Sequence, residues 1–184
     1  MVNKISLVLL LIAFATTLTA QNIGIGIPAP LGKLHIKGAS DVSQLIIDAH
    51  TTQNNTSPLL KFRSSSGNDL LWMHTDTSLN TFIGIFAGRV NNAMGGGLFN
   101  TYAGSHAGFS STTGNSNSAN GLNALFFNGS GSWNTAIGAN ALFSNTIGSN
   151  NTAVGNAALL SNNNGSSNTA SGTDAMKQNV SGNN

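Results

Sequence analysis

The sequence predicts an all-β repeat protein, a β-solenoid or β-roll of six stacked units with a 17-residue period and a small antiparallel β cap. The units begin at asparagines, namely Asn80, Asn100, Asn117, Asn134, Asn151 and Asn168. The first spacing is 20 residues and the next four are 17 residues each. Because a unit this short cannot bury a core alone, such units are expected to stack on one another.

Two glycines per unit predict two corners in each coil. Numbered from its first asparagine, the unit has the consensus Asn-Thr-Ala-x-Gly-x-x-Ala-Leu-Phe-x-Asn-x-x-Gly-x-x. Position 5 is always glycine, at Gly84, Gly104, Gly121, Gly138, Gly155 and Gly172. Position 15 is glycine from Gly114 onward, and the first unit has Met94 beside Gly95 there. Glycine at fixed intervals is typical of turns and of places where two backbones approach closely.

The other constant positions predict a strand, a turn and two ladders. Asn-Thr-Ala-Ile-Gly is typical of a short strand, in which positions 2 and 4 share one face. We expect that face to point inward, with Ile137 and Val154 in position 4 and the Leu and Phe residues of positions 9 and 10 completing the core. Position 8 is alanine throughout, for example at Ala124, Ala141 and Ala158. Asparagines in positions 1 and 12 are expected to hydrogen-bond to the coils above and below, as stacked asparagines do in cross-β structures.

A family resemblance supports this architecture. Asn-Asn-Thr-Ala-Val-Gly at 150–155 and Asn-Thr-Ala-Ile-Gly at 134–138 resemble the head repeats of trimeric autotransporter adhesins of the YadA type. The resemblance covers about residues 80–184 and implies a left-handed β-roll shared by three chains, with positions 2 and 4 inward. The segment 22–36 is similar to the opening of secreted bacterial proteins with tail-fibre-like domains. The partner implied is two further copies of the chain in a homotrimer.

Three regions are expected along the chain. Residues 1–20 have Lys4, an apolar run from Ile5 to Ala15 and a small residue at Ala20, which predicts a secretory signal peptide. An uncleaved N-terminal anchor is the alternative. Residues 21–79 are expected to form the cap from three or four short antiparallel strands, and residues 80–184 the array. The sequence stops at a unit boundary, so we expect the array to be truncated there.

Charge is scarce, and this limits the partners. Without Lys4 the chain has six basic and five acidic residues, and from residue 77 onward only Arg89, Asp174 and Lys177 are charged. Such a balance does not predict binding to nucleic acid or to a charged membrane surface. No stretch after the signal peptide is long and apolar enough to span a bilayer. The chain has no cysteine, so we expect its stability to come from repetition or oligomerisation.

No motif predicts catalysis, a cofactor or a metal. The chain has no glutamate, and its five aspartates are scattered. His74-Thr75-Asp76 could join a serine in a triad, but a polar strand edge explains these residues as well. The histidines lack metal-ligand spacing. Polar Asn, Ser and Gly tracts are often disordered, but the fixed register favours an ordered array.

The sequence therefore predicts an exported, non-enzymatic fibre or adhesin-like protein at the cell surface or outside a bacterium. Its possible partner is a surface receptor or glycan of unknown identity. One alternative is the receptor-recognition region of a tail-fibre-like device. Another is an ice-binding β-solenoid, which would require the threonines of position 2 to point outward from a flat face.

Overall fold

The computed structural model describes residues 23–25, 34–36 and 58–183 of two compact units, 1–48 and 49–184. In the first unit β1 (Ile23–Ile25) pairs in parallel with β2 (Leu34–Ile36). The antiparallel pairing expected there was wrong. Alternation marks a strand without fixing the direction of its partner, and no hairpin dipeptide separates these two strands. The predicted signal peptide and the β-like run at 44–50 lie outside the described residues.

The second unit is a β-solenoid, which confirms the predicted fold class. Its sheet has eight strands in sequential order. They are β3 (Leu60–Arg63), β4 (Asp69–His74), β5 (Thr81–Ile83), β6 (Thr101–Ala103), β7 (Ser118–Asn120), β8 (Thr135–Ile137), β9 (Thr152–Val154) and β10 (Thr169–Ser171). Strands β5 to β10 pair in parallel with equal positions opposite each other, so that Thr135 faces Thr152 and Ile137 faces Val154. The first repeat of the array, which has three additional residues, contains a 3₁₀ helix, Ala93–Gly95.

A hairpin of β3 and β4 covers the first coil, and it lies within the segment expected to form the cap. The turn between β3 and β4 is closed by a hydrogen bond from the Ser64 amide to the Asn68 carbonyl (2.9 Å), and Gly67 has a φ of 84°. Strand β4 pairs antiparallel with β5, which places His74 opposite Phe82. The hairpin thus fills the edge of β5 that would otherwise be open to another strand. The proposed limits of the cap, 21–79, stay a prediction.

The expected inward face was wrong, because position 3 and not positions 2 and 4 points into the coil. The position 3 side chains are at most 3% exposed; they are Phe82, Tyr102, Ala119, Ala136, Ala153 and Ala170. Ile137 is 45% exposed and Val154 is 38% exposed. Because successive side chains of a strand point to opposite faces, an inward position 3 places Ile137 and Val154 of position 4 outside. Of positions 9 and 10, the leucines of position 9 are buried, but Phe126 and Phe143 of position 10 are only half-buried.

The side chains of positions 3 and 9 share one space inside each coil, so a large residue at one position goes with a small residue at the other. In the third, fourth and fifth units position 3 is alanine, as at Ala136, and position 9 is a fully buried leucine such as Leu142; the sixth unit has Met176 at position 9. Where position 3 is aromatic, position 9 is glycine. A Cβ atom on Gly108 would lie 2.5 Å from Cδ2 of Tyr102, so the ring occupies the space that leucine fills in later coils. The expectation that Phe82 packs toward the cap is consistent with its contact with His74.

The two glycine corners arise for different reasons. At position 5 Gly138 has a φ of 128°, and its Cβ would lie 2.5 Å from the Gly155 carbonyl oxygen of the next coil. At position 15 Gly148 has no positive φ, but a Cβ would meet the Gly165 carbonyl oxygen. Position 15 of the first unit is Gly97, not Met94 or Gly95 as expected. The three additional residues precede this corner, and the Gly97 carbonyl accepts the hydrogen bonds that this position accepts elsewhere.

The segment between the corners is an irregular turn and not a helix. In the fourth unit Asn140 and Leu142 have φ values of 57° and 50°, and Asn150 has 58°. Position 7 is left-handed in the other five units too, and position 17 in the first, second, third and fifth. Three such residues in each coil, together with the glycine of position 5, bend the chain around a very small interior.

Candidate functional site: the asparagine ladders and the outer faces

The asparagines of position 1 form a buried ladder that connects neighbouring coils. The Asn134 amide N–H donates to Oδ1 of Asn117 (2.9 Å), and Oδ1 of Asn134 accepts from the Asn151 amide (3.0 Å). The Asn134 Nδ2 donates to the Gly148 carbonyl of its own coil (2.9 Å). Asn134, Asn151 and Asn168 are all fully buried. Each of these amides therefore joins its own coil at a corner and the next coil at its backbone.

The asparagines of position 12 form a second ladder beside the first. Asn145 Nδ2 donates to Oδ1 of Asn128 and to the carbonyl of Gly148, both at 2.8 Å. The Gly148 carbonyl thus accepts from both ladders, which fixes the corner at position 15. In the second unit position 12 is Ser111, whose hydroxyl lies 2.7 Å from the Tyr102 hydroxyl. The structure thus brings the predicted asparagines together. Their role is structural, because their polar atoms form hydrogen bonds inside and between the coils.

Positions 2 and 4 form a regular outer face on the parallel strands. Position 2 places hydroxyl groups on adjacent strands, partly or fully exposed, at Thr81, Thr101, Ser118, Thr135, Thr152 and Thr169. Position 4 holds a large apolar residue in three units, at Ile83, Ile137 and Val154. In the other three units its residue is smaller or polar. Adjacent strands lie roughly 4.8 Å apart, so this pattern repeats at a constant interval. None of these side chains is charged, so the face offers methyl and hydroxyl groups together with the carboxamide of Asn120.

An apolar groove of about 400 Å³ lies where this outer face meets the hairpin. Its lining includes Leu70 and Leu71 of β4 together with Ile83 and Ile85 of the first coil. Leu70 is 61% exposed. The exposed side chains of Ile137 and Val154 continue the apolar character along the outer face. This surface has apolar area to bury against another molecule.

Sequence reasoning missed a row of aromatic rings on the other outer face. Phe109, Phe126 and Phe143 of position 10 stack at centroid distances of 4.9 and 5.2 Å. The Arg89 guanidinium lies 5.0 Å from the Phe86 ring and 5.5 Å from the Phe109 ring. Phenylalanine at the same position of successive units was the available signal. Because the rings cover one another's faces, they present their edges outward.

His74 is the most unusual polar side chain near the groove. It is 5% exposed, and neither of its ring nitrogens makes a hydrogen bond of normal geometry, although the Ala87 backbone lies close by. The Asp76 carboxylate instead accepts from Asn80 and Asn91, both at 2.7 Å. Burial lowers the pKa of His74, while the Ala87 backbone and the Asp76 charge act in the opposite direction. The structure therefore does not form the hydrogen-bonded pair that a catalytic triad would need.

No protein-family model, curated protein or solved structure matches the chain. Within residues 58–183 and the two short strands before them, no three His, Asp, Cys or Glu side chains are placed to hold a metal ion. The same part of the chain has no helix with the length and apolarity needed to cross a membrane. The resemblance to trimeric adhesin heads therefore stays a prediction based on the repeat motif.

Proposed function

We propose that the protein is an exported, non-enzymatic fibre or adhesin-like component that presents a repetitive polar surface outside a bacterial cell. The observation that carries the proposal is the pair of buried asparagine ladders, in which Asn134 and Asn145 connect each coil to its neighbours. Such a stack is stiff and regular, which suits a spacer or a repeated binding surface. A surface receptor or glycan would meet this surface many times, so weak single contacts could add up.

The fibre is further proposed to be a homotrimer. The support is the exposed apolar part of the outer face, with Ile83, Ile137 and Val154 between 37% and 45% exposed beside the groove. Burying apolar area stabilises an assembly by roughly 25 cal/mol per Å². Three copies that bring Ile137 and Val154 near a common axis would remove this area from water along the length of the array. The motif resemblance to trimeric adhesin heads gives the number of chains.

Light scattering on residues 21–184 tests the assembly, with three chain masses expected. Ile137→Asp combined with Val154→Asp should reduce the mass to one chain, because carboxylates at an apolar interface would be buried without partners. Met94→Asp is the control, since Met94 is fully exposed in the loop of the first unit and its variant should remain trimeric. A monomeric parent chain, or an unchanged mass for the double variant, contradicts the proposed interface.

Ice binding is the second candidate function, and one observation favours it. The hydroxyl groups of position 2 point outward from the parallel strands β5 to β10, and an ice-binding face requires such an outward array. The same face cannot be buried in a trimer and free to meet ice, so the mass measurement separates the two candidates. A monomer should show thermal hysteresis that Thr135→Lys removes, because a hydrated charge would keep the face from lying flush with ice. Ser149→Lys, off this face, should leave it intact. Absence of hysteresis in the parent chain would reject this candidate.

A further inference from the structure

The junction between the hairpin and the first coil is closed by an aromatic contact around His74. The His74 ring lies 5.3 Å from the Phe82 ring and 6.4 Å from the Trp72 ring, measured between centroids. His74 and Phe82 also sit opposite each other in the antiparallel pairing of β4 and β5. Because Phe82 is fully buried, the imidazole closes the top of the core that continues through Tyr102. The hairpin and the array therefore meet at a titratable side chain.

The groups around His74 would do little to stabilise a second proton on its imidazole ring. Strand β5 presents the Phe82 ring, and the turn after it presents the backbone near Ala87, so the first coil brings no charge to the imidazole. On the connector, Asp76 is the charge that acts on the ring, and its oxygens already accept from two asparagines. The charges of the hairpin contact Trp72, where Lys61 Nζ is 4.6 Å from the ring and Asp69 accepts the indole N–H, and they do not contribute to the pKa of His74.

We propose that this junction is a pH-sensitive latch, in which protonation of His74 releases the hairpin from the first coil and opens the edge of β5. The imidazolium would need hydrogen-bond acceptors at both nitrogens, and the closed junction supplies none of normal geometry. An imidazole in the open junction is solvated and takes up the proton freely. Acid therefore favours the open form.

The direction of the effect follows from the pKa. Burial holds the pKa of His74 below its ordinary value of 6.5 while the junction is closed. The group contributes fully to closure above about pH 6.5, and this contribution is lost as the pH falls below that value. Opening leaves the backbone groups of Thr81–Ile83 unpaired on the β4 side. Such an edge pairs readily with another strand, so a second copy of the chain is its expected occupant in acid.

Amide hydrogen exchange on residues 21–184 tests the latch, with rates corrected for the intrinsic effect of pH. From about pH 7.5 to about pH 5, we expect exchange in β4 and β5 to accelerate, by about tenfold for each unit by which the closed junction lowers the His74 pKa. Strand β8, far along the array, should keep its protection. His74→Phe should remove the acceleration, since phenylalanine retains the aromatic contact and cannot be protonated. The matched control is His106→Gln, which should behave as the parent chain.

The outcomes decide the proposal without depending on one variant. Equal protection of β4 and β5 at both pH values in the parent chain overturns it, and so does an unchanged acceleration in His74→Phe. Should His74→Phe fail to fold, an NMR titration of the His74 ring in the parent chain gives the same decision. A ring that titrates at or above its ordinary pKa while the hairpin stays closed rejects the latch.

Discussion

Exchanging the core of the second coil for that of a later coil is the most demanding test of the packing. Tyr102 is fully buried, stacks on Phe82 at 5.3 Å and shares a 2.7 Å hydrogen bond with Ser111. Tyr102→Ala should lower the free energy of unfolding by about 3–5 kcal/mol, the usual cost of removing a buried aromatic side chain. Gly108→Leu alone should also destabilise, because its Cβ already overlaps the Tyr102 ring. Overpacking of this kind typically costs about 1–3 kcal/mol.

The double variant should recover most of this loss. Ala in position 3 with Leu in position 9 is the native pair in three later coils, for example Ala136 with Leu142. Leu142 adopts a φ of 50°, close to the 58° of Gly108, so the backbone already accommodates leucine there. About 1–2 kcal/mol of left-handed strain should remain. The coupling between the two substitutions should therefore be at least about 2 kcal/mol, near the upper end of values for neighbouring residues.

Urea unfolding followed by circular dichroism measures all three variants and the parent chain. Equal slopes of free energy against urea would show that the extent of folding has not changed. Additive losses in the double variant would refute the reasoning, because they would mean that positions 3 and 9 do not share one space. A parent-like Gly108→Leu variant would also refute it, since the ring would then have room to move aside.

Three further predictions concern the corners, the ladders and the cap. In urea unfolding, Gly138→Val should lower the free energy of unfolding more than Gly172→Val does. Both substitutions introduce about 1–3 kcal/mol of backbone strain, but only at Gly138 would an added Cβ also meet the backbone of the next coil. Equal losses of stability would assign the whole effect to the positive φ. Asn145→Ala should cost about 1–3 kcal/mol for each buried polar group left unpaired, and Asn179→Ala in the exposed last coil should cost less. If the two lose the same stability, the ladder is not the cause. Deleting residues 21–79 should expose the edge of β5 and cause aggregation at micromolar concentration, which light scattering would detect; a soluble, folded array would argue against the cap.

The repeat unit could be predicted from the sequence because its constraints are strictly local. Glycine at positions 5 and 15 and asparagine at positions 1 and 12 recur at fixed spacing, and the structure places each of them at a corner or in a ladder. Which strand face points inward could not be settled by alternation, since a period of two describes both faces equally. Counting apolar residues favoured Ile137 and Val154 over the alanines beside them. The informative signal was Asn120 and Ser171, which interrupt position 4 and are tolerated because that position lies outside.

The sequence also contains the paired change of residues at positions 3 and 9. Its meaning becomes clear only when the geometry of the turn is known. Phe82 and Tyr102 precede Gly88 and Gly108 by six residues, while the alanines of the next three units precede leucines by the same distance. Reading this as shared volume requires knowing that both positions point into one coil. Gly108 looks like a glycine that a left-handed turn requires. Leu142 adopts the same left-handed backbone at the same position of its unit, so the backbone alone does not require glycine there. Aromatic contacts between units, including the His74 junction, depend on rotamers that no repeat pattern encodes.

The buried asparagines explain why a coil with so little apolar core can be ordered at all. In the fourth coil Asn134 and Asn145 are fully buried together with Ala136, Ala141 and Leu142, so amides share the interior with a small number of apolar side chains. An isolated coil would leave these amides unpaired, at about 1–3 kcal/mol for each group, whereas a neighbouring coil satisfies them. Each coil is thus stable only as part of the stack, which makes the array cooperative and stiff. If the array recognises a partner as proposed, the outer faces are the surfaces that it offers, and the proposed latch lies where the hairpin adjoins the first coil.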